Sequence, residues 1–275
     1  MTEEYTMEMD TDRLRVRPGT KVRLDDIDPG EDGGLDKATG KERTKELRAE
    51  LETLQEMLYV DGRHKMLVVL QALDAGGKDG TVRAVFDGVN PQGVSVTSFK
   101  KPSTEELAHD YLWRVHQHTP RAGHIEIFNR SHYEDVLVVR VHDLVPEARW
   151  RKRYGHIRAF EQMLVDEGTT IIKLFLHISK DEQLERQQER IDDPAKRWKF
   201  DPADIEQRKY WDEYQDAFEA MLDETSTEEA PWYVIPANRN WFRNLVVSQI
   251  MVEKLRALDL RYPEPEFDFE GLVLE

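Results

Sequence analysis

Leu47, Leu51, Leu54 and Leu58 recur at the spacing of one helical face, so the sequence predicts an amphipathic helix over about 41–59. The pattern then changes. Residues 66–73 form a short apolar, β-branched run that reads as a buried strand, and glycines at 76, 77 and 80 punctuate the turn between it and a helix over about 79–88. The same exchange repeats along the chain. Strands are predicted at 94–99, 125–128, 170–178 and 232–235. A capping-box pair, Ser103 with Glu106, opens a helix to about 118, and a second, Ser179 with Glu182, opens one toward 191. Helices are further expected from 131 onward and over 146–167, 201–223 and 241–258. About five strands separated by helices imply an α/β fold, a parallel sheet covered by helices on both faces. No internal repeat of 20–50 residues interrupts this plan.

Residues 1–38 sustain neither period and read as an irregular arm, with Leu14–Arg17 a candidate short edge strand. The body then spans 39–262, and 263–275 is an acidic tail; 223–229 reads as a solvated loop. Trp113, Trp211, Trp232 and Trp241 sit in apolar contexts and are expected in the core. His109, His116 and His118 are poorly spaced for a shared helical metal site and read as polar surface.

The segment Asp74-Ala-Gly-Gly-Lys-Asp-Gly-Thr81 lies where a strand hands over to a helix. There, glycines let the backbone curl around a phosphate, helix-start N–H groups donate to it, and Lys78 adds a point charge. Gly76, Gly77, Lys78, Asp79, Gly80 and Thr81 are therefore phosphate-binding candidates. The loop departs from the usual phosphate-loop pattern at Ala72, where a first glycine would stand, and at Asp79, which replaces the customary Ser or Thr. The lost hydroxyl weakens an ordinary ATPase reading, while Asp79 beside Asp74 offers two anionic oxygen sites for a divalent cation. The plainer alternative is a glycine-rich turn with an exposed lysine.

A second segment, Asn129-Arg-Ser-His-Tyr-Glu-Asp135, begins at the end of another predicted strand and should face the same crevice. Arg130 suits bidentate contact with a transferring phosphoryl group, and Glu134 and Asp135 could hold metal or orient a nucleotide. An N-capped helix whose acids complement its dipole accounts for the same residues. A third feature gathers Arg186, Arg190, Lys196, Arg197 and Lys199 around Pro194, and 194–200 reads as a mobile lid within about 186–210, or as a solvated turn.

Charge sharpens this picture. Lys and Arg total 39 against 55 Asp and Glu, a formal net charge of -16, with 39% hydrophobic and 34% charged residues. Such a body repels nucleic acid, so a polyanionic ligand requires a locally basic groove. No apolar run approaches a bilayer-spanning length, the acidic opening segment lacks the features of a signal peptide, and there is no cysteine, so a cytoplasmic protein without disulfides or a membrane association is expected.

These three segments, in this order, resemble the polyphosphate kinase type 2 family: Asp-Ala-Gly-Gly-Lys-Asp-Gly (74–80), Asn-Arg-Ser-x-Tyr-Glu-Asp (129–135) and Pro-x-Lys-x-Trp-Lys-Phe (194–200). The likeness runs from about Asp12 to Pro263. It implies a P-loop kinase-like fold and transfer of phosphate between inorganic polyphosphate and a nucleotide, dependent on Mg²⁺ with Mn²⁺ as an alternative. It also implies that Asp74 and Lys78 are the catalytic, metal-linked aspartate and the phosphate-binding lysine. Arg130 and Arg190 would neutralise the transferring phosphates, and Lys196, Arg197 and Lys199 would grip polyphosphate. Asn129, Arg130, Tyr133, Glu134 and Asp135 would contact the nucleotide, and Asp74, Asp79 and Glu134 are the metal candidates. Asn129 with Glu134 resembles the subgroup that phosphorylates both AMP and ADP, giving ADP and ATP. The family habit is a homodimer or homotetramer. Two rivals stand beside this reading: an ATP-dependent nucleotide kinase of the same fold, and a module that binds nucleotide or polyphosphate without transfer.

Overall fold

A computed structural model describes residues 9–265 and Phe267; residues 1–8 of the arm and most of the acidic tail lie outside them. The chain runs α1 (Lys37–Asp61), β1 (Lys65–Gln71), α2 (Lys78–Val85), β2 (Val94–Ser98), α3 (Thr104–Ala108), α4 (Trp113–His116), β3 (Ile125–Asn129), α5 (Val138–Val141), α6 (Glu147–Asp166), β4 (Thr169–His177), α7 (Lys180–Asp192), α8 (Ala203–Gln207), α9 (Trp211–Thr225), β5 (Trp232–Pro236) and α10 (Asn240–Arg256). The five strands pair in parallel in the order β2-β3-β1-β4-β5.

The strand period of two sorts the core into two layers. Leu67 and Val69 of β1 join Ile157 and Phe160 of α6 and Phe218 and Met221 of α9 on one face of the sheet. Met66, Val68 and Leu70 join Leu51 and Leu58 of α1, Val85 of α2, and Val246 and Ile250 of α10 on the other. One position breaks the apolar pattern. Lys173 lies on β4 between Ile171 and Phe175 and is fully buried. Its ammonium donates to Glu161 Oε2 at 2.6 Å, the Thr225 carbonyl at 2.7 Å and the Tyr133 hydroxyl at 3.1 Å. Tyr133 in turn donates to Glu161 Oε1 at 2.6 Å, so every charge in this dry cluster has a partner.

Several local expectations change. Ser103 and Glu106 do form a capping box, but the helix stops at Ala108 and resumes only at Trp113. Asp110 Oδ1 accepts from the Leu112 N–H at 2.9 Å, an alternative to the helical ladder that breaks the run. The segment after Ser131 is a 3-10 turn over His132–Asp135, capped by Ser131, before the single turn of α5. Ser179 caps α7, yet Glu182 turns away to accept from Arg186 Nε at 2.6 Å, so the reciprocal half of the second box is absent. The helix expected over 201–223 divides into α8 and α9 around a 3-10 turn. Leu14–Arg17 forms no strand; Arg15 makes one antiparallel bridge to Tyr233, and Val16 N–H donates to the Trp232 carbonyl at 2.8 Å. Of the four tryptophans, only Trp232 is fully buried. Trp113, Trp211 and Trp241 are half-buried: Trp113 stacks on His109 at 4.1 Å, and Trp241 covers Gly40 of α1.

Candidate active site

From β1 the chain crosses to β2 on one side of the sheet, and from β3 it crosses to β4 on the other. The carboxyl ends of β1 and β3 therefore border the crevice where strand order reverses, the place where open α/β sheets bind ligands. The glycine loop leaves β1 there, and Arg130 follows β3 beside it.

The loop is shaped by backbone that few residues adopt. Gly77 caps α2 at φ +97°, and Ala75 holds φ +61°. Arg130, a bulky side chain, sits at φ +62°. Its N–H donates to the Leu70 carbonyl at 3.1 Å, which prolongs the β1–β3 ladder and fixes the strained residue at the mouth of the crevice. Lys78 lies inside the loop, where its ammonium donates to the carbonyls of Ala72 at 2.8 Å and Leu73 at 3.2 Å. Burial, with Arg130 beside it, brings the Lys78 pKa down to about 8.

Two cavities meet at this point. A cleft of about 740 Å³ is bordered by the glycine loop, by Lys100 and Lys101 after β2, and by Arg186, Arg190, Lys196 and Lys199. A smaller pocket of about 250 Å³ lies on the α8–α9 side, lined by Glu134, His142, Asp204, Trp211 and Tyr214 among others. Asp74 and Arg130 border both. Asp74 Oδ2 accepts from Arg190 Nη1 at 2.8 Å, and the same nitrogen stands 3.4 Å from Asp204 Oδ2. Burial opposes ionisation of Asp74, but Arg190 and Lys78 outweigh it and hold the carboxyl below the usual carboxylate range. Asp204, partly buried and facing Asp74, is pushed up to about 6.

The predicted residues divide accordingly. Gly76, Gly77, Lys78, Asp79, Gly80, Asn129, Arg190, Lys196 and Lys199 border the larger cleft, and Glu134 the smaller. Asn129 Nδ2 donates to Asp79 Oδ1 at 2.6 Å, which joins the first two motifs directly. Four candidates are elsewhere. Tyr133 is fully buried, because the 3-10 turn directs its ring against Trp232 and its hydroxyl to Glu161. Asp135 faces Arg153, whose Nη1 donates to it at 2.7 Å. Thr81 is buried in the first turn of α2 and donates to the Gly77 carbonyl at 3.0 Å. Arg197 is exposed and spends its Nε on the Ile191 carbonyl at 2.8 Å. These four line neither cavity.

Of the charged residues at the two cavities that sequence reasoning missed, Asp204 and Arg243 have the strongest pKa shifts. Asp204 reaches the site from α8, far along the chain, and no local pattern marks it. Arg243 of α10 is only 2% exposed, yet it borders the cleft beside Gly77 and Gly80. Its guanidinium donates to the side-chain oxygens of Asn240 at 2.7 Å and Asn244 at 2.8 Å, and among the described residues no carboxylate compensates it. Burial, with Arg186 adding to it, lowers its pKa to about 9. A buried guanidinium beside the glycine loop, with no acid partner among the described residues, has the charge and donors to pair with an anion. An arginine inside the apolar run 241–252 was the available signal.

The sequence model of the family described as Polyphosphate kinase 2 (PPK2) matches residues 34–263. The chain belongs to this family. Among relatives of this polyphosphate kinase 2 family member, it is 60% identical over 265 residues to the AMP/ADP-polyphosphate phosphotransferase of Meiothermus ruber, across 96% of this chain and 99% of that one. It is 46% identical over 278 residues to the ADP-polyphosphate phosphotransferase of Rhodopseudomonas palustris, across 94% of each. The crystal structure of polyphosphate kinase 2 from Arthrobacter aurescens superposes with a TM-score of 0.92 at 41% identity, over 96% of this chain and 95% of that one. Among the described residues, no helix is long and apolar enough to cross a membrane.

Proposed function

We propose that this chain transfers the terminal phosphoryl group of inorganic polyphosphate to AMP and to ADP, giving ADP and ATP, and that it runs the reaction in both directions. One observation carries the reading: Asp74 and Arg130 border both cavities, so a group passing from one to the other must pass them. The basic cleft suits a polyanionic donor. The smaller pocket, with Trp211, Tyr214 and Phe218 around polar groups, suits a nucleotide acceptor. The names of the two relatives support these acceptors.

In this account the loop amides, Lys78 and Arg243 hold the end of the donor chain. Arg190 and Arg130 bracket the phosphoryl group and neutralise charge on its equatorial oxygens as it moves. An oxygen of the acceptor's terminal phosphate attacks the donor's terminal phosphorus in line. The bridging P–O bond breaks, and its electron pair leaves on the shortened polyphosphate. Asp74, Glu134 and Asp204 all border the smaller pocket and present hard oxygen donors. Among the described residues no three His, Asp or Glu side chains form a ready cation cage. That suits Mg²⁺, which takes one or two carboxylates and completes its shell with phosphate oxygens and water. When bound, Mg²⁺ supplies charge neutralisation and alignment of donor and acceptor oxygens. Asp79, held by Asn129, shapes the loop instead.

The test is donor exchange with ADP as acceptor. Rapid ATP formation from long-chain polyphosphate is the expected result. Polyphosphate that binds without any ATP appearing would support the non-catalytic module instead.

A further inference from the structure

Beside the phosphate cleft lies a third cavity of about 650 Å³, formed by the first half of α1 and the start of α10. Lys37, Lys41, Lys45, Arg48 and Arg239 line it, and among the described residues no carboxylate does. In a chain with 55 acids and 39 Lys and Arg residues, such a lining is a concentrated exception. Lys45, Arg48 and Arg239 pair with Glu42, Asp87 and Asp32 at the surface. Exposed pairs of this kind add little to stability, so a polyanion displaces them at little cost. Lys37 and Lys41 make no ion pair among the described residues. Asn240 borders both this trough and the 740 Å³ cleft, and Arg243, about one helical turn along α10, faces the cleft from the junction. Trp241 lies against Gly40, where a Cβ would overlap its ring. That close approach fixes Lys37 and Lys41 relative to Asn240.

We propose that this trough holds the distal phosphates of a polyphosphate chain whose reacting end lies on the glycine loop, so that donor affinity grows with chain length. The inference rests on the reading of polyphosphate as donor. A chain too short to pass Asn240 contacts only the loop and lid cations. A long chain also neutralises the trough, and its end is held at the loop while the remainder stays bound.

The experiment measures KM, counted per chain, for tripolyphosphate and for long-chain polyphosphate with ADP as acceptor. It compares the parent protein, the Lys37→Glu/Lys41→Glu variant, and the Arg149→Glu/Lys152→Glu variant on the opposite face. An acid is favourable in the first turn of α1, where Lys37 lies, and a glutamate at 41 would stand one turn from Lys45, so the trough variant should fold. The parent should prefer the long chain by about tenfold or more, a difference of about 1.4 kcal/mol. The trough variant should lose that preference and the α6 variant should keep it. A parent that uses both donors with equal KM overturns this inference alone, as does a trough variant that keeps the preference or an α6 variant that loses it equally. A parent that makes no ATP from either donor overturns the donor reading and this inference together.

Discussion

Arg190 Nη1 stands 2.8 Å from Asp74 Oδ2, and with Gln183 and Arg186, which donate to the carbonyls of Asp74 and Ala75, it ties α7 to the glycine loop that follows β1. Arg190 and Asp74 are separated by 116 positions in sequence and belong to different motifs. Their pairing favours the ionised form of Asp74, which borders both cavities.

Replacing Asp74 by Asn should therefore stop transfer without unfolding the protein. The carboxylate contributes nothing to the core, and the Asp74 carbonyl would still accept from Gln183 Nε2 at 3.0 Å. The expected kcat loss is about 10³-fold or more, since transition-state charge stabilisation is the main catalytic lever here. ATP formation from ADP and polyphosphate, with thermal melting as control, measures both. Turnover near that of the parent would remove Asp74 from the mechanism.

Arg243→Met separates binding from stability. Among the described residues the buried arginine has no acid partner, so its removal relieves a desolvated charge and the melting temperature should hold or rise. Donor KM should rise by about tenfold, the worth of about 1.4 kcal/mol of lost phosphate contact. A fall in melting temperature with unchanged KM would make Arg243 a structural residue.

Gly77→Ala should harm both properties. Gly77 holds φ +97°, and a Cβ there would overlap the Arg243 guanidinium. The strain costs about 1–3 kcal/mol, and the displaced loop and arginine would no longer bind phosphate together. Denaturant melts and steady-state kinetics on one preparation test the pair of effects.

The buried Lys173–Glu161 pair makes a prediction with two signs. Lys173→Met leaves Glu161 charged in a dry core and should destabilise the fold by about 3–5 kcal/mol. Adding Glu161→Gln removes the stranded charge, and the double variant should be more stable than Lys173→Met alone. A double variant less stable than the single one would show that the carboxylate has no need of its lysine.

Acid stability should depend on Asp61. Its carboxylate accepts from Arg63 Nε and Nη2, both at 2.6 Å, and from the Arg261 N–H at 2.8 Å, which ties the end of α1 to the segment after α10. The hydrogen bonds from Arg63 hold its pKa well below the usual carboxylate range. A depressed folded-state pKa contributes stability that is present above the unfolded value, about 3.9, and is lost as pH falls below it. The difference in stability between the parent and Asp61→Asn should thus be constant near neutrality and shrink below about pH 4.

How far the sequence could be read followed how local each cause is. Strand and helix periods marked the sheet and most helices, because burial on alternate positions or on one stripe is written in neighbouring residues. Asp74, Lys78 and Arg130 were legible for the same reason: each lies where a strand ends. Arg243 and Asp204 arrive through tertiary packing of α10 and α8 and have no local signature. Tyr133 was legible in its motif but not in its burial. It sits inside a site motif, but a 3-10 turn in place of a helix directs its ring into the core, beside a Lys173 whose burial no local pattern announced.

The most direct test of direct transfer from polyphosphate to both adenine nucleotides uses AMP as sole nucleotide. Purified protein, long-chain polyphosphate and Mg²⁺ are mixed without ATP, and products are followed by chromatography. ADP should appear first and ATP after it. No product until ATP is added as donor would contradict the account and mark the protein as an ordinary nucleotide kinase.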